Sequence, residues 1–395
     1  MHNKNISEKN NVTSNTESYG RKNPFLSTLT DRHPLTKFES KKNSQHLVVD
    51  ITGSGYTYQP GDSAAIMPIN DPDIIHKTLL SLKASGEEII IDKRSHKKYS
   101  LSQYLREKVS ITKLTKRTLS LLYSHQHEGK KKQQLNDLLL PENKNEMIAY
   151  LENHHLWDLI EEHQEVFLDP QELCSALLPL VPRLYSIASS QTKNPNQLEL
   201  AVIEVSYTTN DILRHGVCSR YLCSTATTGA KLPIFIHKTP RFYLPEEKDT
   251  PIIMVGPGTG VAPFRGFMEE RRITGASNKN WLFFGDWNQA YDFYYEEEWS
   301  GMIANGFLRL DTAFSRDQKH KIYVQHKILE NSTEIWKWLE SGAYFYICGD
   351  AFRMAKDVEA AILKIAQTEG NLSEEEAINY IQCMKTEKRY RLDVY

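Results

Sequence analysis

The sequence predicts a β-barrel interrupted by a mostly helical insertion, followed by an α/β domain on a parallel sheet. Three observations carry this expectation. Short strand-like segments with close turns occupy two separate stretches, one before residue 73 and one after residue 178; such spacing marks small barrels. Between them, Leu and Ile recur at helical spacing. From Pro251 onward strands and helices alternate, which builds a parallel sheet with helices on both faces. The expected division is a disordered tail over 1–22, barrel halves over 23–72 and 179–248, a helical insertion over 73–178 and an α/β domain over 249–395.

The tail is rich in Asn, Ser, Lys and Glu, too polar to order itself by burial. After N-P-F-L-S-T-L-T, His46 to Ile51 reads as a strand closed by the turn Gly53-Ser54-Gly55. Tyr58 to Asp62 is a second turn, and Ala64 to Met67 a strand ended by Pro68. Helical periodicity follows in Ile74–Leu82, Leu119–Tyr123, Gln134–Leu140 and Met147–Ile160. Lys130 to Lys132 reads as a solvated loop or as a docking patch for an acidic partner. Strand patterns return in Pro182–Ser190, Leu198–Tyr207 and Leu232–His237. In the last domain, Ile252–Val255, Trp281–Gly285, Leu308–Ala313 and Tyr344–Cys348 read as strands. Val261–Ile273, Glu296–Ala304, Lys327–Glu340, Met354–Thr368 and Ser373–Met384 read as helices.

Composition excludes several classes. The 395 residues suffice for two or three domains, and a formal charge of −2 argues against a nucleic-acid partner. No apolar run approaches the roughly 20 residues a membrane span needs, and the polar N-terminus lacks a signal peptide's apolar core. The five cysteines form no C-x-x-C pair and no zinc spacing; sparse thiols fit a reducing cytoplasm. The histidines at 125, 127, 154 and 155 have no ligand-like spacing, so no metal is expected.

Four stretches carry chemistry. Gly256, Gly258 and Gly260 sit between a strand and a helix. That is the geometry of a phosphate cradle, with Thr259 adding a donor, or of a plain tight turn. Its glycine spacing departs from the common dinucleotide fingerprint. Ser315, Arg316, Lys321, Tyr323 and Gln325 form a phosphate clamp suited to a 2′-phosphate, or an ordinary polar loop. Arg183, Tyr185 and Ser186 could pair a pyrophosphate, stack on a ring and hydrogen-bond a ring edge, or form a strand with a polar edge. Gly216, Val217, Cys218 and Ser219 resemble an anion loop at a helix start. The chain then ends on an aromatic, Tyr395, straight after a strand-like run, which is unusual for a frayed terminus.

Taken in order, these motifs resemble the FAD and NADPH domains of the diflavin reductase family. They are Y-Q-P-G-D (Tyr58–Asp62), R-L-Y-S-I-A-S-S (Arg183–Ser190), G-V-C-S (Gly216–Ser219), G-P-G-T-G-V-A-P-F-R (Gly256–Arg265), S-R-D-Q-x-x-K-x-Y-V-Q (Ser315–Gln325), Y-I-C-G-D (Tyr346–Asp350) and L-D-V-Y (Leu392–Tyr395). The NADPH–sulfite reductase branch is nearer than the microsomal cytochrome reductase branch, which ends on Trp where this chain has Tyr395.

The resemblance implies a ferredoxin-NADP reductase-like fold: a barrel that binds FAD and an α/β domain that binds NADP. Arg183, Tyr185, Ser186, Tyr207, Gly216, Val217, Cys218, Ser219 and Tyr395 would hold FAD. Gly258, Thr259, Gly260, Arg265, Ser315, Arg316, Lys321, Tyr323, Gln325 and Asp350 would hold NADPH. Ser186, Cys348, Asp393 and Tyr395 would be catalytic, surrounding the nicotinamide and the flavin N5. Only about 22 polar residues precede the match, and no flavodoxin-type phosphate loop is visible, so no FMN is expected. The electron acceptor would then be a separate protein: a flavodoxin, a ferredoxin or a haemoprotein subunit. The expected function is a cytoplasmic NADPH-dependent flavoprotein reductase. The alternatives are a free-standing ferredoxin- or flavodoxin-NADP reductase and a non-catalytic flavin-binding scaffold.

Overall fold

Alternation of buried and half-exposed residues organises the first sheet in the computed structural model, which describes residues 19–395. Its strands are β1 (Phe25–Pro34), β2 (Ser44–Asp50) and β3 (Ser63–Ile66). A small hairpin, β4 (Ile89–Ile91) and β5 (Lys98–Ser100), belongs to the insertion. The sheet resumes with β6 (Arg183–Ser186) and β7 (Gln197–Ile203); the hairpin β8 (Ser206–Thr209) and β9 (Ile212–His215) precedes β10 (Lys231–His237). Spatial order is β6-β3-β10-β1-β2-β7, with antiparallel neighbours. Leu29, Leu47, Val49, Leu198, Leu200, Leu232 and Ile234 form its core.

The expected barrel is an open six-stranded sheet. Its edges, β6 and β7, meet through one isolated bridge, Ile187 to Leu200. Strand β6 has only four residues, and the next amide, that of Ile187, donates back to the Asp62 carbonyl at 3.0 Å. Contact with β7 is correspondingly brief: the Ala188 amide donates to the Glu199 carbonyl at 2.7 Å before the chain turns away at 191–193.

Between β3 and β6 the chain is mainly helical and has its own apolar core, including Leu101, Leu105, Leu119, Leu156 and Leu159. The helix expected over Met147–Ile160 is two, Lys144–Glu152 and Leu156–Glu162. The Asp158 carboxylate breaks it by accepting from the His155 amide at 2.6 Å, which starts a new helix there. The lysines at 130–132 begin a helix, Lys130–Leu139, where a loop or patch was expected. Of the expected tail, 1–18 lie outside the described residues. Gly20 bridges Asn23, and the Tyr19 ring packs edge-on against Phe25 at 5.0 Å.

The second sheet comprises β11 (Ile252–Val255), β12 (Asn280–Asp286), β13 (Arg309–Phe314), β14 (Tyr344–Gly349) and β15 (Tyr390–Val394). The order is β13-β12-β11-β14-β15, and every pairing is parallel. Successive residues feed two cores: Ile253, Val255, Phe283 and Ile347 on one face, Ile252, Met254, Phe284 and Tyr346 on the other. Burial on both faces explains why these strands read as continuous apolar runs. The helix expected over Lys327–Glu340 is two, Val324–Glu330 and Ser332–Glu340. Asn331 sits at the break, donating to Asp311 Oδ1 at 3.2 Å and to the Lys327 carbonyl at 2.9 Å.

Candidate functional site

The carboxyl ends of β14 and β15 point at the end of β6, so residues far apart in sequence meet there. Parallel pairing puts Cys348 beside Asp393. The Ser186 hydroxyl, from the other sheet, donates to Asp393 Oδ2 at 2.6 Å, and the Cys348 thiol reaches the same oxygen at 3.7 Å. Burial raises the Asp393 carboxyl above its usual value, against the lowering effect of the Ser186 and Cys348 hydrogen bonds. Burial also pushes the Cys348 thiol up, and Asp393 adds to that, so the thiol stays protonated and is a donor. Tyr395 is held mainly by its backbone: its amide donates to the Gly349 carbonyl at 3.1 Å, and its carbonyl accepts from the Ala351 amide at 3.2 Å, while its phenol lies beside the Thr259 hydroxyl. The residue as a whole is 65% exposed. An aromatic ring on a fixed backbone, left uncovered beside Ser186–Asp393, fits a flat partner ring.

The donors expected around a flavin pyrophosphate fit as well. Gly216 caps the short helix Val217–Arg220, whose first amides have no intrahelical partner. A Cβ on Gly216 would lie 2.8 Å from Ser219 Oγ, so a larger residue there would have to displace that hydroxyl. Ser219 Oγ accepts from the Val205 amide at 3.1 Å and donates to the Gly216 carbonyl at 3.1 Å. Cys218 is buried in the sheet core; burial raises the Tyr185 phenol far above its usual value, and Cys218 beside it adds to the rise. Arg183 is exposed, and among the described residues no carboxylate lies within ion-pair distance of it. Tyr207 lies on the β8–β9 hairpin, its hydroxyl 3.5 Å from His155 Nε2. That hairpin is anchored by the buried Arg214–Asp158 pair at 2.7 Å.

At the nucleotide end, Gly258, Thr259 and Gly260 form a single 3₁₀ turn that leads into the helix Ala262–Ile273. A Cβ on Gly260 would fall 2.2 Å from the Cys348 carbonyl oxygen. The glycine loop and the Cys348 strand end are thus pressed together. Arg316 and Lys321 are exposed and have no carboxylate within ion-pair distance among the described residues, as a phosphate clamp requires. Ser315 is buried, its hydroxyl given to the Asp286 carbonyl at 3.2 Å. Tyr323 is exposed at the start of the helix Val324–Glu330, and Gln325 donates to Asp357 Oδ2 at 3.1 Å.

Two expected nucleotide ligands are engaged elsewhere. The Arg265 guanidinium turns toward the first sheet, bonding Glu199, Glu298 and the Ala188 carbonyl. Asp350 Oδ1 accepts from the Arg353 amide at 2.6 Å and the Met354 amide at 3.1 Å, which makes it the cap of the helix Met354–Thr368. Sequence reasoning overlooked Lys42 and Trp287, which meet around Asp286. Lys42 pairs with Asp286 Oδ1, and the Arg316 guanidinium carbon lies 3.3 Å from the centroid of the Trp287 ring. A charged residue and a Trp directly after a buried strand were the available signal; nothing local marks Lys42. Among the described residues no cluster of three or more His, Cys, Asp or Glu could hold a metal.

Comparison with known proteins matches both parts of the chain. A FAD binding domain family model matches residues 17–221, and an oxidoreductase NAD-binding domain model matches residues 254–360. The chain is 41% identical over 379 residues to the sulfite reductase [NADPH] flavoprotein alpha-component of Bacillus subtilis, covering 96% of this chain and 62% of that protein. The corresponding protein of Vibrio parahaemolyticus is 41% identical over 95% of this chain and 59% of its own length. That of Shewanella oneidensis is 39% identical over 95% of this chain and 61% of its own length. The chain thus spans about three fifths of the relatives it matches.

Proposed function

Because this chain belongs to the diflavin reductase family, we propose that it takes electrons from NADPH through FAD and passes them to a separate protein. The meeting of Ser186, Cys348 and Asp393 across the two sheets carries this reading, since it joins an FAD-type sheet to a NADP-type sheet at one carboxylate. FAD, when bound, would accept two electrons from NADPH and release them one at a time. The protein's part is positioning and electrostatics. Arg183 and the amides of Val217–Ser219 hold a pyrophosphate, and Tyr185 and Tyr395 sandwich a ring. Gly258–Gly260, Arg316 and Lys321 hold the nucleotide phosphates. Ser186 and Cys348 orient the nicotinamide amide, and Asp393 offers its negative charge where the ring becomes positive. Tyr395 must swing aside for that, keeping its backbone bonds and giving up its phenol's contact with Thr259.

The relatives' names favour a sulfite reductase haemoprotein subunit as the acceptor; a flavodoxin or ferredoxin is the second reading. No helix among the described residues is long and apolar enough to cross a membrane. The buried free thiols Cys174, Cys218, Cys223 and Cys348 support a reducing cytoplasm. An anaerobic NADPH titration followed by visible absorption tests the proposal. A flavin band that bleaches with NADPH, and far less readily with NADH, is the expected result. A colourless protein, or a yellow one that NADPH cannot bleach, would overturn it in favour of a flavin-binding scaffold.

A further inference from the structure

We propose that Trp287 is a positioning residue for nucleotide choice, its indole holding the Arg316 guanidinium ready for a 2′-phosphate. The inference rests on the NADPH reading above. The loops after β12 and β13 are tied side by side. The Ser315 amide donates to the Asp286 carbonyl at 2.9 Å, and the Arg316 amide to the Trp287 carbonyl at 2.8 Å. The Asp317 carboxylate accepts from Asn288 Nδ2 and the Gln289 amide, each at 3.0 Å. Arg316 therefore springs from a fixed backbone, yet its side chain is exposed and has no carboxylate partner among the described residues. The Trp287 ring, with the guanidinium carbon 3.3 Å from its centroid, is what holds it. Stacking of this kind orders a long side chain before the ligand arrives and leaves its N–H fork free for an anion.

Trp287 is itself held from the other sheet. Its amide donates to Asp286 Oδ1 at 2.6 Å. Lys42, in the loop before β2, pairs with that same oxygen and lies 4.6 Å from the centroid of the Trp287 ring. Asp286 Oδ2 is buried, has no hydrogen-bond partner among the described residues, and faces the glycine loop, where a Cβ on Gly258 would lie 3.7 Å away. A bare buried carboxylate beside a phosphate cradle would repel the ligand; the Lys42 ammonium offsets that charge and fixes the indole at once. A nucleotide without a 2′-phosphate gives Arg316 nothing to bind, so losing Trp287 weakens only ligands that carry one.

Calorimetric titration of the full FAD-loaded chain with 2′,5′-ADP and with 5′-AMP tests this. Trp287→Ala is expected to weaken 2′,5′-ADP binding by about tenfold, the scale of a cation–π contact, and to leave 5′-AMP unchanged. Trp287→Phe, which keeps a stacking face, retains most of the affinity, and Arg316→Ala with Trp287→Ala is no weaker than Arg316→Ala alone. Equal losses for both nucleotides would make Trp287 an adenine platform and overturn the proposal, as would no loss at all. A parent chain that binds 5′-AMP as tightly as 2′,5′-ADP would instead sink the NADPH reading beneath it.

Discussion

Two of the crossings that join the same pair of sheets are built in opposite ways. At the first, the Arg265 guanidinium bonds Glu199, Glu298 at 2.9 Å and the Ala188 carbonyl at 2.9 Å, and lies 3.3 Å from Glu269. Glu269 in turn accepts from Lys193 at 2.6 Å and the Ser190 amide at 3.0 Å. At the second, one serine hydroxyl and one distant thiol face Asp393. The first crossing saturates its charges; the second leaves a carboxylate under-solvated. Burial alone would raise the Glu199 carboxyl, but His46 and Arg265 bring it down to about 2. Asp393 has no cation near enough to overcome burial, and its carboxyl goes up. The difference separates a joint that fixes the sheets from a site that keeps charge in reserve for a ligand.

The most direct way to break the first crossing is Arg265→Ala. It leaves Glu199 with only His46 and Glu269 with only Lys193, a loss of up to about 3–5 kcal/mol. Urea unfolding should show a transition at markedly lower denaturant, while Lys193→Ala, a half-exposed partner, changes it little. The sign with pH follows from Glu199. Its ordinary value is 4.5 and its folded value about 2. The stability it contributes is full above the first value and lost as pH falls through the second. The gap between parent and Arg265→Ala should therefore narrow as pH drops through that window. A gap that stays constant would mean that Glu199 is not the group left stranded.

The second crossing is probed by Asp393→Asn. Asparagine keeps a carbonyl for the Ser186 hydroxyl but removes the charge. Electrostatic groups of this kind are worth about 10²–10³ in kcat, read here as NADPH-dependent reduction of a dye acceptor. Because burial raises the Asp393 carboxyl, the parent should lose activity as pH falls at a point above the ordinary aspartate value, and Asp393→Asn should lose that acid limb. An acid limb that persists in Asp393→Asn would assign it to another group.

The two crossings also differ in how far the sequence exposes them. The glycine loop is legible because its constraint is local: Gly260 must let the Cys348 carbonyl come close, and three glycines before an apolar helix announce such a turn. The parallel sheet is legible for the same reason, since burial on both faces writes continuous apolar runs. Asp393 and Cys348 were reached only through the family resemblance; nothing local to L-D-V-Y says that a parallel pairing will set it beside β14. The Arg265–Glu199 pair spans two sheets, and its arginine reads as a nucleotide ligand from its motif alone. The open first sheet and the break at Asn331 were hidden because each depends on a tertiary partner, Asp62 for the chain after β6 and Asp311 for the break; the break at His155 was a local signal passed over, since its partner Asp158 is only three residues on. Periodicity carries no record of such partners.

Tyr395→Ala gives the smallest effect and the sharpest separation between holding and selecting. The residue is anchored through its amide and carbonyl, which alanine keeps, and is 65% exposed overall. Stability should therefore stay within about 0.5 kcal/mol of the parent. If the ring competes with the nicotinamide for one flat surface, removing it relieves a stacking contact of about 0.5–1.5 kcal/mol that any nicotinamide must displace. NADPH can displace it with the extra hold of Arg316 and Lys321, and NADH cannot. The NADPH to NADH ratio of kcat/KM should thus fall, by about tenfold at most. An unchanged ratio with unchanged stability would leave the ring with no part in selection, and the choice of nucleotide would rest on the Arg316 end alone.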